Sequence, residues 1–272
     1  MPAGPVNSQG IAWLREWIRR GLDMSAPVLE LRRQGFSDAA IVQALETARP
    51  RGNALEGDAM QALPLIRRAP PGLRHIEAAG FPLYTLDGFL DAGECAGLIE
   101  MAGSHLMPSA VSTSRYASES RTSTSANLFE IDDPRAVALE KKICATLGIR
   151  ESYAEGVQAQ RYEVGQQFKP HHDAFEDGTQ DFQRFAGVRG NRTWTFMVYL
   201  NEGMEGGATR FTAADVAIQP RLGMALFWNN LLDDGSRNPR TIHAGEPVTR
   251  GFKVIITQWF RVHGNGPVLY AP

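Results

Sequence analysis

His171, Asp173, His243 and Lys253 are the residues whose types and spacing could do chemistry in this chain. Two imidazoles and one carboxylate are the set that caps one face of a non-haem Fe(II) ion and leaves three positions open. His171 and Asp173 stand two apart in the run His171-His172-Asp173, so an extended strand would project both from the same face. His243 would arrive from a strand distant in sequence and complete the set. Lys253, on the next stretch of strand, is placed to pair with the far carboxylate of a 2-oxo acid bound to that metal. His172 points to the opposite face and is read as a substrate neighbour at best, not as a fourth ligand.

These side chains need elements to carry them. The run Gln160 to Pro170 alternates enough for a strand that leads into the first histidine. Thr193 to Leu200 (TWTFMVYL) is β-branched and aromatic, the composition of a buried strand. A turn at Glu205-Gly206-Gly207, a short strand near Thr209–Phe211, the segment Gly223 to Trp228 and a final strand Lys253 to Phe260 follow. The pattern is hairpin-rich and antiparallel, with the candidate ligands at strand ends.

Taken together, RYEVGQQFKPHHD, RTWTFMVYL with EGGATRF, GMALFW and IHAGEPVTRGFK resemble the prolyl 4-hydroxylase family of Fe(II)/2-oxoglutarate dioxygenases. Upstream, YTLDGFLDAGECAGLIE, SRTSTSANL and DPRAVALEKKICATLGI extend the likeness, which runs from about Leu83 to Arg261. The resemblance implies an α+β chain with a double-stranded β-helix, a jelly-roll or cupin-type barrel, flanked by helices. It implies that His171, Asp173 and His243 ligate iron and that Lys253 binds the C5 carboxylate of 2-oxoglutarate. Tyr162 and Thr195 would lie near that carboxylate, and Arg121 and Arg192 would hold substrate. The implied reaction turns 2-oxoglutarate and O2 into succinate and CO2 while a substrate C–H becomes C–OH, with ascorbate as a reductant. By the same resemblance the Asp173 carboxylate favours hydroxylation over halide transfer, which needs a small residue there.

Departures from the family pattern cluster near the substrate. His172 and Ala174 stand where peptide-acting relatives carry tyrosines, Glu246 where a cysteine is frequent, and Phe252 and Val254 flank Lys253 in place of a polar residue and a tryptophan. They weaken peptidyl proline as the substrate more than they weaken the reaction type. A prolyl residue in a peptide or protein is the leading expectation. A free amino or imino acid, its carboxylate clamped by Arg121 and Arg192, is the alternative. A non-catalytic metal-binding barrel used as an interaction module is the third, disfavoured because binding alone needs neither Lys253 nor the full triad.

Composition sets the outer limits. With 272 residues, 21% charged and a formal net charge of −2, the chain can bury a large core and carries no polyelectrolyte signal for nucleic acid. No stretch approaches the roughly 18 apolar residues of a membrane span, and the first residues lack the apolar run of a signal peptide. Cys95 and Cys144, each in an expected helix among apolar neighbours, are read as buried free thiols in a reducing cytoplasm. The composition is compatible with a homo-oligomer.

Residues 1–68 are expected to form a helical N-terminal domain, 69–80 a linker and 81–272 the dioxygenase domain. Ile11, Leu14, Ile18 and Leu22 fall on one helical face behind a cap at Ser8. Pro27 opens a second helix that stops at Gly35, and Ser37 caps a third with Ile41, Val42 and Leu45 inward. A further helix is predicted over Asn53 to Arg68. In the larger unit, Asp91 to Ala102 and Pro134 to Leu147 read as helices packed on the barrel. Met107 to Asn127, Glu176 to Arg192 and Asn229 to Pro239 read as loops at its rim.

Overall fold

The structure, a computed structural model, describes residues 4–19, 25–48, 69–109, 121–187, 189–232 and 234–264. Near the N-terminus, α1 (Ser8–Arg19), α2 (Ser25–Arg33) and α3 (Asp38–Ala48) form three short helices. None is long enough to be stable alone in water, so their order comes from a shared apolar core. Leu14, Val28, Leu31, Ile41 and Leu45 supply it. The first cap is Asn7, not Ser8: Asn7 Oδ1 accepts from Gly10 N at 2.9 Å. Ser37 caps α3, and Gly35 stops α2 in the left-handed region at φ +88°. Trp17 packs against this core while Trp13 is exposed. The helix expected over Asn53 to Arg68 lies outside the described residues.

Three sheets follow. The main one has the order β1 (Leu73–His75), β2 (Leu83–Leu86), β11 (Ala225–Asn229), β7 (Arg192–Tyr199), β14 (Lys253–Arg261), β5 (Gln158–Tyr162), β4 (Thr124–Asn127) and β3 (Met107–Pro108). The second runs β10 (Val216–Ile218), β9 (Thr209–Phe211), β12 (His243–Gly245), β6 (Phe168–His171). A small pair joins β8 (Glu205–Gly206) to β13 (Val248–Arg250). Every pairing of named strands is antiparallel.

The main sheet is buried on both faces, and the side-chain period of two sorts its residues between two cores. On β7, Trp194, Phe196 and Val198 join α4 (Ala92–Gly103) and α5 (Pro134–Leu147) on the outer face. Met197 and Tyr199 face the second sheet, together with Tyr162, Trp228 and Ile255, and pack with its Phe211 in the inner core. That double burial is why TWTFMVYL is an unbroken apolar run and not an alternating one. Each large side chain so buried contributes about 1.5–3 kcal/mol. The helices enter from caps that the sequence encodes: Asp91 and Glu94 form a capping box on α4, and Asp133 precedes Pro134 on α5.

Two expectations are corrected. Residues 69–80 are not a free linker: β1 pairs with β2, and Ala79 is fully buried in the second core. Leu73 and Ala79 are too small a signal to read as structure without the sheet edge that receives them. Met107 to Asn127, expected as a loop, begins and ends in strands that extend the main sheet, because β5 offers β4 an unpaired edge. Residues 110–120 between them lie outside the described residues.

Candidate active site

β6 and β12 are neighbours, and His243 stands directly opposite His171 in their register. β6 ends at His171, so Asp173 lies just past the strand, not on it, yet its carboxylate returns to the same face. One ligand atom from each of the three falls within 4.8 Å of the others. His171 Nε2 is 3.7 Å from Asp173 Oδ1, and His243 Nε2 is 3.9 Å from Asp173 Oδ2. Both rings are anchored from behind. His171 Nδ1 hydrogen-bonds the Lys169 carbonyl at 2.8 Å and His243 Nδ1 the Thr241 carbonyl at 2.9 Å. A carbonyl only accepts, so each Nδ1 must carry the proton and each Nε2 is left with its lone pair facing the cluster.

Electrostatics push the same way. Burial and the neighbouring His243 lower His171 to about 3. Burial opposes ionisation of Asp173, but the two histidines, Arg192 and the Thr195 hydrogen bond hold its carboxyl below the usual range. A neutral imidazole and an ionised carboxylate are the protonation states that metal ligation requires. The donor set therefore fits a divalent transition metal, and its mixture of nitrogen and oxygen suits Fe(II).

The cluster opens into a cavity lined from both sheets. Lys253 lines it from the first position of β14, opposite Tyr162, and is 1% exposed. Its Nζ donates to the Gly207 carbonyl at 2.8 Å and sits 4.7 Å from the centre of the Tyr162 ring. No carboxylate among the described residues lies within 4.0 Å of it. Burial pushes this ammonium down to about 8. Gly207 (φ +71°) and Gly245 border it closely: a Cβ on either would sit 3.4 or 3.5 Å from the lysine side chain.

The other expected residues are distributed less simply. Tyr162 lines the cavity, but its hydroxyl donates to Gln160 Oε1 at 2.8 Å. Thr195, expected beside the cosubstrate carboxylate, lines the cavity and donates to Asp173 Oδ2 at 2.7 Å. It faces Trp228 in the β7–β11 register, and that places its hydroxyl at the carboxylate. Arg121 lines the cavity almost wholly buried, its Nε on Ser123 Oγ and its Nη2 on Gln158 Oε1, each at 3.1 Å. It has no carboxylate partner among the described residues, and burial lowers its pKa. Arg192 is not an open clamp. It pairs with Glu155 through two bonds, Nε to Oε1 at 2.7 Å and Nη2 to Oε2 at 2.8 Å, and lies 4.0 Å over the Trp259 ring.

Four contributors were not read from the sequence. Glu155, largely buried, is also paired with Arg261 at 2.6 Å; burial would raise it, but the two arginines hold it at about 2. Asn230 and Trp228 stand behind Thr195. Thr209 lines the cavity two residues after the carbonyl that holds Lys253, and its hydroxyl accepts from Tyr199 at 2.8 Å. Trp228 and Thr209 fall in segments recognised as strands, so alternation marks them as inward; nothing local marks Glu155 or Asn230.

Residues 157–261 match the 2OG-Fe(II) oxygenase superfamily. It is 32% identical over 202 residues to the probable prolyl 4-hydroxylase 3 of Arabidopsis thaliana, covering 66% of this chain and 69% of that one. It is 34% identical over 181 residues to the human prolyl 4-hydroxylase subunit alpha-3, covering 65% of this chain but only 33% of the subunit's length. The solved 2OG complex of a viral collagen prolyl hydroxylase from Paramecium Bursaria Chlorella virus-1 is similar at 30% identity and a TM-score of 0.52, covering 66% of this chain and 95% of that one. The chain belongs to the prolyl 4-hydroxylase family, with its jelly-roll fold.

Proposed function

We propose that this chain hydroxylates a prolyl residue in a peptide or protein, converting 2-oxoglutarate and O2 to succinate and CO2. His171, Asp173 and His243 hold Fe(II), and Lys253 receives the C5 carboxylate. The observation that carries this reading is the convergence of three ligand atoms within 4.8 Å, both histidine Nδ1 atoms tied to carbonyls, in a cavity that also contains a buried ammonium with no carboxylate in ion-pair contact among the described residues. Bound iron and cosubstrate supply the oxidising chemistry; the protein's share is orientation and exclusion of water. Lys253 fixes one end of a dicarboxylate, so that its 2-oxo acid end meets the ligand cluster. Tyr162 covers the lysine stem, Arg192 stacks on Trp259 at the cavity wall, and the sheets exclude bulk water. Ascorbate as the reductant that keeps iron ferrous rests on the family resemblance. A reducing, cytoplasmic setting is supported by Cys95 and Cys144, both buried and free.

Prolyl specificity is supported by the relatives' names, each a prolyl hydroxylase. One observation favours the second reading, a free amino or imino acid: Arg121 is a buried cation in the cavity with no carboxylate in ion-pair contact among the described residues, and a substrate carboxylate would supply one. The protein should be given Fe(II), 2-oxoglutarate, ascorbate and a mixed panel of prolyl peptides and free amino acids, with succinate and products read by mass spectrometry. A hydroxylated peptide supports the first reading. A hydroxylated free acid with untouched peptides supports the second. Absence of succinate under every condition sinks both and leaves a metal-binding module.

A further inference from the structure

We propose that Trp228, Asn230 and Thr195 form a one-way hydrogen-bond relay that sets which oxygen Asp173 offers to a metal, an inference that rests on the metal reading above. Trp228 Nε1 donates to Asn230 Oδ1 at 2.8 Å, Asn230 Nδ2 donates to Thr195 Oγ1 at 2.8 Å, and Thr195 Oγ1 donates to Asp173 Oδ2 at 2.7 Å. The direction is fixed by the first member, because an indole N–H can donate and never accept. It holds the carbonyl end of the Asn230 amide toward itself, which turns the NH2 toward Thr195. The threonine oxygen must then accept on that side, and its single proton is left for the carboxylate. Asp173 Oδ2 is therefore the oxygen already carrying a donated hydrogen bond, although it lies 3.9 Å from His243 Nε2; Oδ1, 3.7 Å from His171 Nε2, is the one presented to the ion.

The consequence is denticity. A hydrogen bond on one carboxylate oxygen uses one of its lone pairs and favours metal binding through the other oxygen. A carboxylate without that bond can close on the ion with both oxygens and occupy a position that a cosubstrate chelate and O2 need. Burial makes the relay rigid: Trp228 is 1% exposed, Asn230 and Thr195 0%, so water does not replace a missing member. Trp228 and Thr195 are direct partners across β11 and β7, which keeps both ends of the relay on one sheet. The same indole meets His243 edge-on, ring centres 4.9 Å apart, so Trp228 braces two of the three ligands. These are positioning residues that act through Asp173 and His243, although Thr195 and Trp228 also line the cavity.

The test compares Thr195→Val, Thr195→Ser and Trp228→Phe with the unaltered chain. Mn(II) is titrated into metal-free protein, and the d–d absorption of the Co(II)-loaded form reports coordination number. Thr195→Val should weaken Mn(II) binding by about tenfold or more and change the Co(II) spectrum, while Thr195→Ser, which keeps the hydroxyl, should stay within about threefold. Trp228→Phe should fall between them and carries the same test if Thr195→Val does not fold. Mn(II) binding by Thr195→Val as tight as in the unaltered chain would overturn the relay. So would equal losses in Thr195→Val and Thr195→Ser, which would mean that packing and not the hydrogen bond matters. If the unaltered chain holds no Mn(II), the metal reading itself falls, and the relay with it.

Discussion

Around His171, Asp173 and His243 each side chain already has a partner that fixes it, whereas Lys253, in the same cavity, hydrogen-bonds a peptide carbonyl and has no carboxylate in ion-pair contact among the described residues. The first region is organised before anything binds. Carbonyls select the imidazole tautomers, and a threonine hydroxyl orients the carboxylate. The second is left incomplete, and burial makes its charge costly until an anion arrives. The same contrast divides the two arginines: Arg192 is matched bidentately by Glu155, while among the described residues Arg121 hydrogen-bonds the neutral oxygens of Ser123 and Gln158. Preorganised groups set geometry, and unmatched ones select what enters.

Variants can break that contrast. The largest effect is expected from Asp173→Ala, which removes the only carboxylate of the cluster: metal binding by titration and succinate release should both be lost. Turnover at the normal level would remove Asp173 from the site. Lys253→Ala comes next, because a buried carboxylate that loses its ammonium is stranded at a cost of about 3–5 kcal/mol. The apparent 2-oxoglutarate requirement should rise more than tenfold; an unchanged requirement in a folded variant would end the assignment.

Arg192→Ala and Arg121→Ala sharpen the second contrast. Losing Arg192 leaves Glu155 under-compensated, at about 3 kcal/mol, or roughly 6–12 °C in Tm for a domain of this size. Arg121→Ala should leave Tm nearly unchanged or raise it and weaken the primary substrate instead. Equal Tm losses in thermal scans would contradict the distinction. The smallest effect is that of pH. Lys253 is held down to about 8 in the folded protein, below its ordinary 10.5, so between those values the unfolded chain binds more protons. The ligand-free fold should therefore gain stability as pH rises from about 8 to 10.5. Cosubstrate binding needs the charged form and should weaken by up to about tenfold per pH unit above 8, read from 2-oxoglutarate titrations; flat affinity across that range would argue against an ammonium contact.

Sequence alone singled out the candidate ligands, their order along the chain and the strands that bring them together, because ligand chemistry and the two-residue side-chain period are local properties. It also marked TWTFMVYL as buried and located α4 and α5, whose caps are written in Asp91, Glu94, Asp133 and Pro134. Tertiary structure decided the rest. Only the β7–β11 register shows that Thr195 serves Asp173. Only folding brings Glu155 to Arg192, 37 positions away, and turns an expected clamp into a matched pair. Asn230 reads as an ordinary loop residue until the sheets close over it. Which hydroxyl or guanidinium remains available depends on partners distant in the chain, and those partners exist only once the strands have paired.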